Sequence, residues 1–435
     1  MTPPAIPMID LTSAPQRISP TDMSQYIRLD QCRRYLRLRL HERTHGQRFM
    51  RAYDVTPQSI PPILSLSGER FEERVEAQAT AMIGAAINCA AAAQADEDEF
   101  IGEHQNAVVL AHARQLAPGA ALLLFQPRLQ VTIGAWQLRG TVDILLLRRD
   151  LQGSLTALIV DMKSSTAAKV EHRLQVAFYH AMLETLFAAG GIASECIATA
   201  ILYRGPSADA PAPGPAEQAQ LAAQRDAAQA VLGVEDAYLE LVDDPEAYRA
   251  EVRTLVTDPD SLAAEVANAP FESIGFHLTY KCDGCLYNEF CMKWAAEMDD
   301  LSLIPYLADT EKNALRVGGV TTTTALAGLK IFRDEQSTDL VPAPGQEQLV
   351  RSLSAHRALG PRLDELVHRA RRFRNWKGDD LRALKYIPSK GYGTLPASDA
   401  TIHPNLVRIY LDVQHDYLHD RLYLLSALVV ASEAG

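Results

Sequence analysis

The sequence predicts a mixed α/β fold, on three observations. Between residues 120 and 165 the apolar residues come in short runs bounded by turn positions. The runs ALLLFQPRLQVTIG, WQLRGTVDILLLRRD and LTALIVDMKSS read as three successive strands, with Gly134 marking the first turn and Gln152-Gly153 the second. From Val170 to Ala189 the apolar spacing returns to three and four, as in a helix. CIATAILYRG (196–205) then reads as a further strand. Strands alternating with helices make an α/β core. Of the 435 residues, 47% are hydrophobic and 22% charged, which suffices for a sizeable core divided over two or three domains.

The other elements follow in chain order. Residues 1–23 are rich in Pro and Ser and are expected to be a flexible lead-in. Ser24 to Gln47 reads as one helix carrying Arg28, Arg33, Arg34, Arg37, Arg39 and Arg43, with Cys32 inside it; a second helix is expected from Gly68 to Ala95. Pro- and Ala-rich 205–220 reads as a linker or surface loop, and helical spacing resumes over 219–268. Three cysteines crowd into 271–300, and 301–329 reads as two short helices around a Gly-Gly turn. Residues 351–390 hold eleven Lys and Arg against four Asp and Glu, and the chain ends in an apolar hairpin pattern. The expected domains are 24–300, 301–335, 336–400 and 401–435.

The net charge of −12 excludes a uniformly basic nucleic-acid coat, so contact with phosphate must come from local patches. No window approaches 18 consecutive apolar residues, so no membrane partner is expected. The N-terminus lacks a basic head followed by an apolar stretch, so a cytoplasmic location is expected, where six cysteines serve as thiols or metal ligands rather than disulfides.

Chemistry concentrates in the strands. Asp143 sits in GTVDILLL, and Asp161 and Lys163 sit in LIVDMKSS. Burying a bare carboxylate is costly unless it is paired or binds a metal. Side chains at i and i+2 share one strand face, so Asp161 and Lys163 point the same way, and a neighbouring strand would bring Asp143 beside them. Two carboxylates and a lysine at strand ends suit Mg²⁺ or Mn²⁺; the ordinary alternative is a strand-end ion pair. In the following helix Gln175 and Tyr179 lie four residues apart on one face.

This constellation resembles the PD-(D/E)xK nucleases, in particular their RecB-like branch, which reads G-x-x-D, then D/E-x-K, then Q-x-x-x-Y. Here the matching residues are Gly140 to Asp143, Asp161-Met162-Lys163, and Gln175 to Tyr179. The branch also carries an acidic residue in the preceding helix, and Gly68-Glu69-Arg70-Phe71-Glu72 places Glu72 there, with Phe71 where some members have histidine. The resemblance covers about residues 24–300. It implies a restriction-endonuclease-like core, a mixed sheet flanked by helices, in a Mg- or Mn-dependent nuclease. Exonuclease activity on single-stranded DNA or DNA ends is the expectation that goes with it. Asp143, Asp161, the Met162 carbonyl and Glu72 would hold the metal, Lys163 would assist the attacking water, Gln175 would orient Lys163 or the phosphate, and Tyr179 would pack the helix or the DNA. DNA repair, CRISPR adaptation and phage defence all fit, with a helicase or a CRISPR integrase as partner. A different class of function, a non-cutting nucleic-acid-binding subunit, keeps the fold and has no use for the carboxylates.

Cys282-x2-Cys285-x5-Cys291 has metal-ligand spacing, and by itself C-x2-C suggests zinc. With Cys32 before the core as the fourth ligand, the pattern resembles the iron–sulphur members of the RecB-like branch, the AddB subunit and the CRISPR-adaptation exonuclease. That implies a [4Fe–4S] cluster held by the four thiolates; zinc, or plain thiols in a core, are the alternatives. Cys89 and Cys196 lie in apolar runs and read as core residues.

LADTEKNALRVGGVTTTTALAGL resembles a helix-hairpin-helix whose turn, Gly318-Gly319-Val320, presents backbone N–H groups to phosphate. Arg369, Arg371, Arg372, Arg374 and Lys377 would extend a phosphate track. VRIYLDVQHDYLHDRLYLLSALV resembles the opening hairpin of an RNase H-like domain, with Asp412 in place but Gln414 where a second carboxylate belongs, so no catalysis is assigned to it. No G-x-x-x-x-G-K-[ST] motif is present in the sequence.

Overall fold

A computed structural model describes residues 4–12, 14–56, 62–90, 104–206, 213–334, 339–376, 407–416 and 421–431. The described residues fall into two compact units, one drawn from 4–52 and 57–276, the other from 53–56 and 277–435.

The first unit runs β1 (Gln16–Ile18), α1 (Pro20–Arg28), α2 (Arg33–His45), α3 (Arg48–Ala52), α4 (Pro62–Ile83), β2 (Ala86–Asn88), α5 (Asn106–Gln115), β3 (Ala121–Phe125), β4 (Arg128–Ile133), β5 (Trp136–Thr141), β6 (Ile144–Arg149) and β7 (Leu155–Lys163). It continues with α6 (Val170–Ala189), β8 (Cys196–Tyr203), α7 (Pro215–Leu232), β9 (Tyr238–Leu241), α8 (Pro245–Val252) and α9 (Leu262–Asn268). Six strands form a mixed sheet in the order β2-β3-β6-β7-β8-β9, and three more form a smaller sheet, β1-β5-β4.

The strand period decides which side chains meet which helices. On β7, Val160 and Met162 point into a core with Phe71, Val75 and Ala79 of α4 and Ala228 and Leu232 of α7. The alternate residues Asp161 and Lys163 therefore face the other way. On that opposite side Ile201 of β8 packs against Val176 of α6.

Two expected runs divide. ALLLFQPRLQVTIG is two strands, β3 and β4, because Gln126 takes a left-handed φ of 52° and Pro127 follows it. WQLRGTVDILLLRRD is also two, β5 and β6, so Asp143 stands at the corner between them rather than inside a strand. At both corners the chain crosses from one sheet to the other. A strand, β9, lies within the region expected to be helical over 219–268.

The N-terminal segment also differs from expectation. Over 1–23, read as a flexible lead-in, Ile6, Ile9 and Ile18 are buried and β1 pairs in parallel with β5. The single helix expected over 24–47 is two, α1 and α2, because Asp30 and Gln31 both take left-handed φ values, 54° and 58°. The helix expected to end near Ala95 ends at Ile83, and residues 91–103 lie outside the described residues.

Ser19 caps α1, its hydroxyl accepting from the Asp22 N–H while the Asp22 carboxylate accepts from the Ser19 N–H. The Asp22 carboxylate is buried and also takes Arg39 at 2.6 Å and Arg43 at 3.2 Å. Burial alone would raise its pKa, but Arg39 and Arg43 outweigh burial and hold it below the usual range. One carboxylate thus ties the start of α1 to the middle and end of α2. On β5, Gly140 gives α1 and α6 room to close in: a Cβ there would lie 2.8 Å from the Tyr179 ring and 3.0 Å from Pro20.

The second unit holds α10 (Asn288–Glu297), α11 (Asp309–Val317), α12 (Thr323–Ala327), β10 (Lys330–Phe332), β11 (Leu340–Pro342), α13 (Glu347–Ala355), α14 (Leu363–Trp376), β12 (Val407–Asp416) and β13 (Arg421–Ala431). Leu315, Val320, Leu326, Leu353, Leu363 and Val367 anchor its core. Helices α11 and α12 flank Gly318-Gly319 where the helical hairpin is expected, and Gly319 needs its φ of 88°. The basic track changes character. Arg369 is buried, pairs with Glu365 and donates to the Pro305 carbonyl at 2.8 Å, and Arg371 donates to the Lys330 carbonyl at 2.9 Å. Both guanidinium groups are thus committed to packing, because the apolar face of α14 carries them inward; Lys377 lies outside the described residues. β12 and β13 form the expected hairpin, with Asp412 opposite Ser426 and Gln414 opposite Leu424. No helix among the described residues is long and apolar enough to cross a membrane.

Two outcomes are expected. Asp22→Ala leaves two guanidinium groups without their carboxylate and should cost about 3 kcal/mol, read as a fall in urea midpoint. Because the folded pKa of Asp22 is depressed, its contribution is full above the ordinary carboxylate range and lost as pH falls through the folded value, so wild type and variant should converge in acid. Gly140→Ala should overpack the α1–β5–α6 contact and cost roughly 1–3 kcal/mol by thermal melting; an unchanged melting temperature would show that Tyr179 is not seated on Gly140.

Candidate active site

The two chain corners build the site. The Gln126 N–H donates to the Asp143 carbonyl at 2.9 Å, and the Val142 N–H donates to the Pro127 carbonyl at 3.2 Å. These bonds lock the β5–β6 corner onto the β3–β4 corner. Pairing of Ile144 with Val160 then sets Asp143 across from Asp161. The Met162 N–H donates to Asp143 Oδ2 at 2.5 Å.

Asp161 is 1% exposed, and its Oδ2 lies 2.8 Å from Lys163 Nζ. That oxygen has charge contact with the ammonium but no hydrogen bond of good geometry, whereas Oδ1 accepts from Gln175 Nε2 at 3.0 Å. Gln175 also reaches the Tyr179 hydroxyl at 3.4 Å. Gln175, expected to orient Lys163 or the phosphate, donates its amide to Asp161. Gln175 and Tyr179 share one face of α6, so a single helix supplies both.

Burial raises the pKa of Asp143 well above the carboxylate range, and the Asp161 charge raises it further. Burial also raises Asp161, against the opposing pull of Lys163. Burial would lower the Lys163 pKa, but Asp161 and Asp143 outweigh it and raise it, which favours the ammonium form. Glu72 on α4 is raised by burial, with Lys163 opposing, and its Oε2 accepts from Gln126 Nε2 at 3.4 Å. Phe71 beside it is a core residue, 1% exposed.

Two crowded, desolvated carboxylates with elevated pKa values are a donor set that a divalent cation would relieve. The chemistry of the residues therefore fits Mg²⁺ or Mn²⁺ on Asp143 and Asp161. The Met162 side chain packs in the core, which leaves only its backbone facing the carboxylates. Among the described residues no group of three or more His, Cys, Asp or Glu side chains is gathered as a ready-made metal cage.

A cleft of about 490 Å³ opens over this set, lined by Asp143, Lys163, Gln175 and Tyr179. It also brings in residues that sequence reasoning missed: Thr21, Ser24 and Arg28 from α1, Arg128 from β4 and His172 from α6. His172 Nδ1 accepts from the Lys169 N–H at 3.3 Å, which assigns the ring proton to Nε2. Burial, then the charge of Lys163, pushes its pKa down to about 3, so the ring is neutral. Its position three residues before Gln175 on the same helix was a readable signal. Arg128 and Gln126 gave no such signal, because their partners lie far off in the sequence, Gln105 before α5 and Glu72 on α4.

The cysteines divide between the units. Cys32 precedes α2 in the first unit. Cys282, Cys285 and Cys291 lie in the second, where Cys282 Sγ accepts from the Thr279 N–H at 3.4 Å and Cys285 Sγ from the Tyr287 N–H at 3.5 Å. Cys89 is buried as expected, but Cys196, read as a core residue, is exposed at the start of β8.

No curated protein matches the chain. A crystal structure of SSO0001 aligns at 12% identity over 62% of this chain and 84% of the other, with a TM-score of 0.23. The PD-(D/E)XK nuclease superfamily matches over residues 47–292, more than half of the chain. The chain belongs to the PD-(D/E)XK nuclease superfamily.

Proposed function

We propose that this protein is a Mg²⁺- or Mn²⁺-dependent DNA nuclease of the RecB-like kind, cutting single strands or DNA ends. The Asp143–Asp161–Lys163 set, with Asp161 buried and Asp143 and Lys163 lining a cleft, carries this reading. Asp143 and Asp161 would hold a divalent cation, which would supply Lewis-acid stabilisation of the phosphate and activation of water. Lys163, held cationic by Asp161, orients the attacking water and offsets the negative charge that develops on the phosphate. Gln175 fixes the Asp161 carboxylate, and Tyr179 seats α6 against Gly140. Glu72, tied to Gln126, adds negative charge beside the metal carboxylates, directly or through water.

A [4Fe–4S] cluster on Cys32, Cys282, Cys285 and Cys291 belongs to the same reading. In support, the Cys282 and Cys285 sulphurs each accept a backbone N–H, the kind of hydrogen bond that steadies a ligating thiolate. Exonuclease polarity, a role in DNA repair, CRISPR adaptation or phage defence, and a helicase or integrase partner are parts of the same proposal. So are the phosphate-binding turn at Gly318–Val320 and the partial RNase H-like hairpin.

With Mn²⁺ and a labelled single-stranded oligonucleotide, the wild type should cut and EDTA should stop it. Lys163→Ala should lower the rate at least about 10²-fold by removing a preorganised charge, while oligonucleotide binding by anisotropy persists. Asp161→Ala should abolish cleavage. Binding without cleavage by the wild type would favour the non-cutting subunit. For the cluster, iron analysis after anaerobic purification should show loss in Cys32→Ala and Cys285→Ala but full content in Cys196→Ala. Iron retained in Cys32→Ala, or zinc in the wild type, would reject that assignment.

A further inference from the structure

We infer that Arg128 is a substrate-anchoring residue that grips a non-reacting phosphate next to the scissile one, an inference that rests on the nuclease reading above. Arg128 opens β4 and pairs in register with Thr141, two residues before Asp143. Two residues of strand span about 7 Å, the order of the spacing between neighbouring phosphates of an extended strand. Its backbone is fixed on both sides by Gln105, which donates its N–H to the Arg128 carbonyl at 2.7 Å and accepts the Arg128 N–H on its side-chain oxygen at 3.0 Å.

Arg128 forms no ion pair among the described residues, and its Nη1 is buried without a hydrogen bond. A buried guanidinium nitrogen lacking an acceptor is costly, and of the arginines that carry one among the described residues, Arg128 is the one on the cleft beside Asp143 and Lys163. The same residue lines the cleft that holds Asp143 and Lys163. The side chain thus reaches the cleft with no carboxylate of its own, and a phosphate oxygen matches a guanidinium fork in charge and geometry. The scissile phosphate already has Lys163 and the carboxylate-bound metal, so Arg128 takes its neighbour. The Thr21 and Ser24 hydroxyls on the same wall are neutral donors for the same strand.

The test replaces single phosphates. Single-stranded oligonucleotides carrying one neutral methylphosphonate, placed on either side of a mapped cleavage position, are compared with the all-phosphate strand in Mn²⁺. For the wild type, one of the two neutral linkages should raise KM about tenfold. In Arg128→Ala the all-phosphate KM should already be raised about tenfold, and the same linkage should add less than twofold; Arg128→Lys should recover part of the loss. Without turnover, the slope of log affinity against log salt, measured with Ca²⁺, should fall by about 0.7 in Arg128→Ala. Melting temperatures of both variants identify any loss through unfolding. A full methylphosphonate penalty remaining in folded Arg128→Ala, or an unchanged salt slope, overturns the anchoring role while the nuclease reading stands. A wild type that cuts no strand overturns the nuclease reading itself, and the anchoring role with it.

Discussion

Two carboxylates, Asp143 and Asp161, stand opposite one another, the second fully buried and the first partly so, and the surrounding structure is arranged to make that tolerable. Each would be costly alone, and together they repel. The Met162 N–H, the Gln175 amide and the Lys163 ammonium each offset part of that cost. What they leave is a site with less positive charge than two ionised carboxylates need, which is the condition for binding a divalent cation. Burial, and for Asp143 also the Asp161 charge, explains the elevated pKa values of the pair, and attraction to both carboxylates raises that of the lysine.

Holding such a pair in place calls for rigid supports on every side. The corner at Gln126-Pro127 pins the corner at Val142-Asp143 through two backbone hydrogen bonds. The strand period sends Val160 and Met162 into the core, so β7 cannot slip by one residue without burying Lys163 among aliphatic side chains. Helix α6 docks closely because Gly140 lacks a side chain where the Tyr179 ring lies. Helix α1, a wall of the cleft, is held to α2 by the buried Asp22 with Arg39 and Arg43. These contacts link local sequence choices to the position of two oxygen atoms.

The second unit follows a different logic. Its core is aliphatic, and its buried charges are paired for packing: Lys312 with Asp300 at 2.7 Å, and Arg369 with Glu365. Basic residues that look like a phosphate track in the sequence are partly spent on carbonyls and carboxylates inside the unit. A count of charges along a chain does not distinguish a solvated face from a buried network, because the difference lies in which way the helix turns its stripe.

Local features are legible in the sequence alone. Side chains two apart on a strand share a face and side chains four apart on a helix share a face, so spacing by itself pairs Asp161 with Lys163 and Gln175 with Tyr179. The helix Val170–Ala189 and the strand Cys196–Tyr203 follow from apolar period for the same reason. Tertiary structure decided what depends on distant partners. Asp143 stands at a corner because its strand changes sheets there, a break that apolar period does not mark. Cys196 is exposed although its run is apolar, since it begins the strand before the core does. Gln126, Arg128 and His172 join the site through hydrogen bonds and cleft walls made by β3, β4 and α6 together. Periodicity reports the neighbours a residue has along its own element; which elements face each other is set by packing across the whole chain.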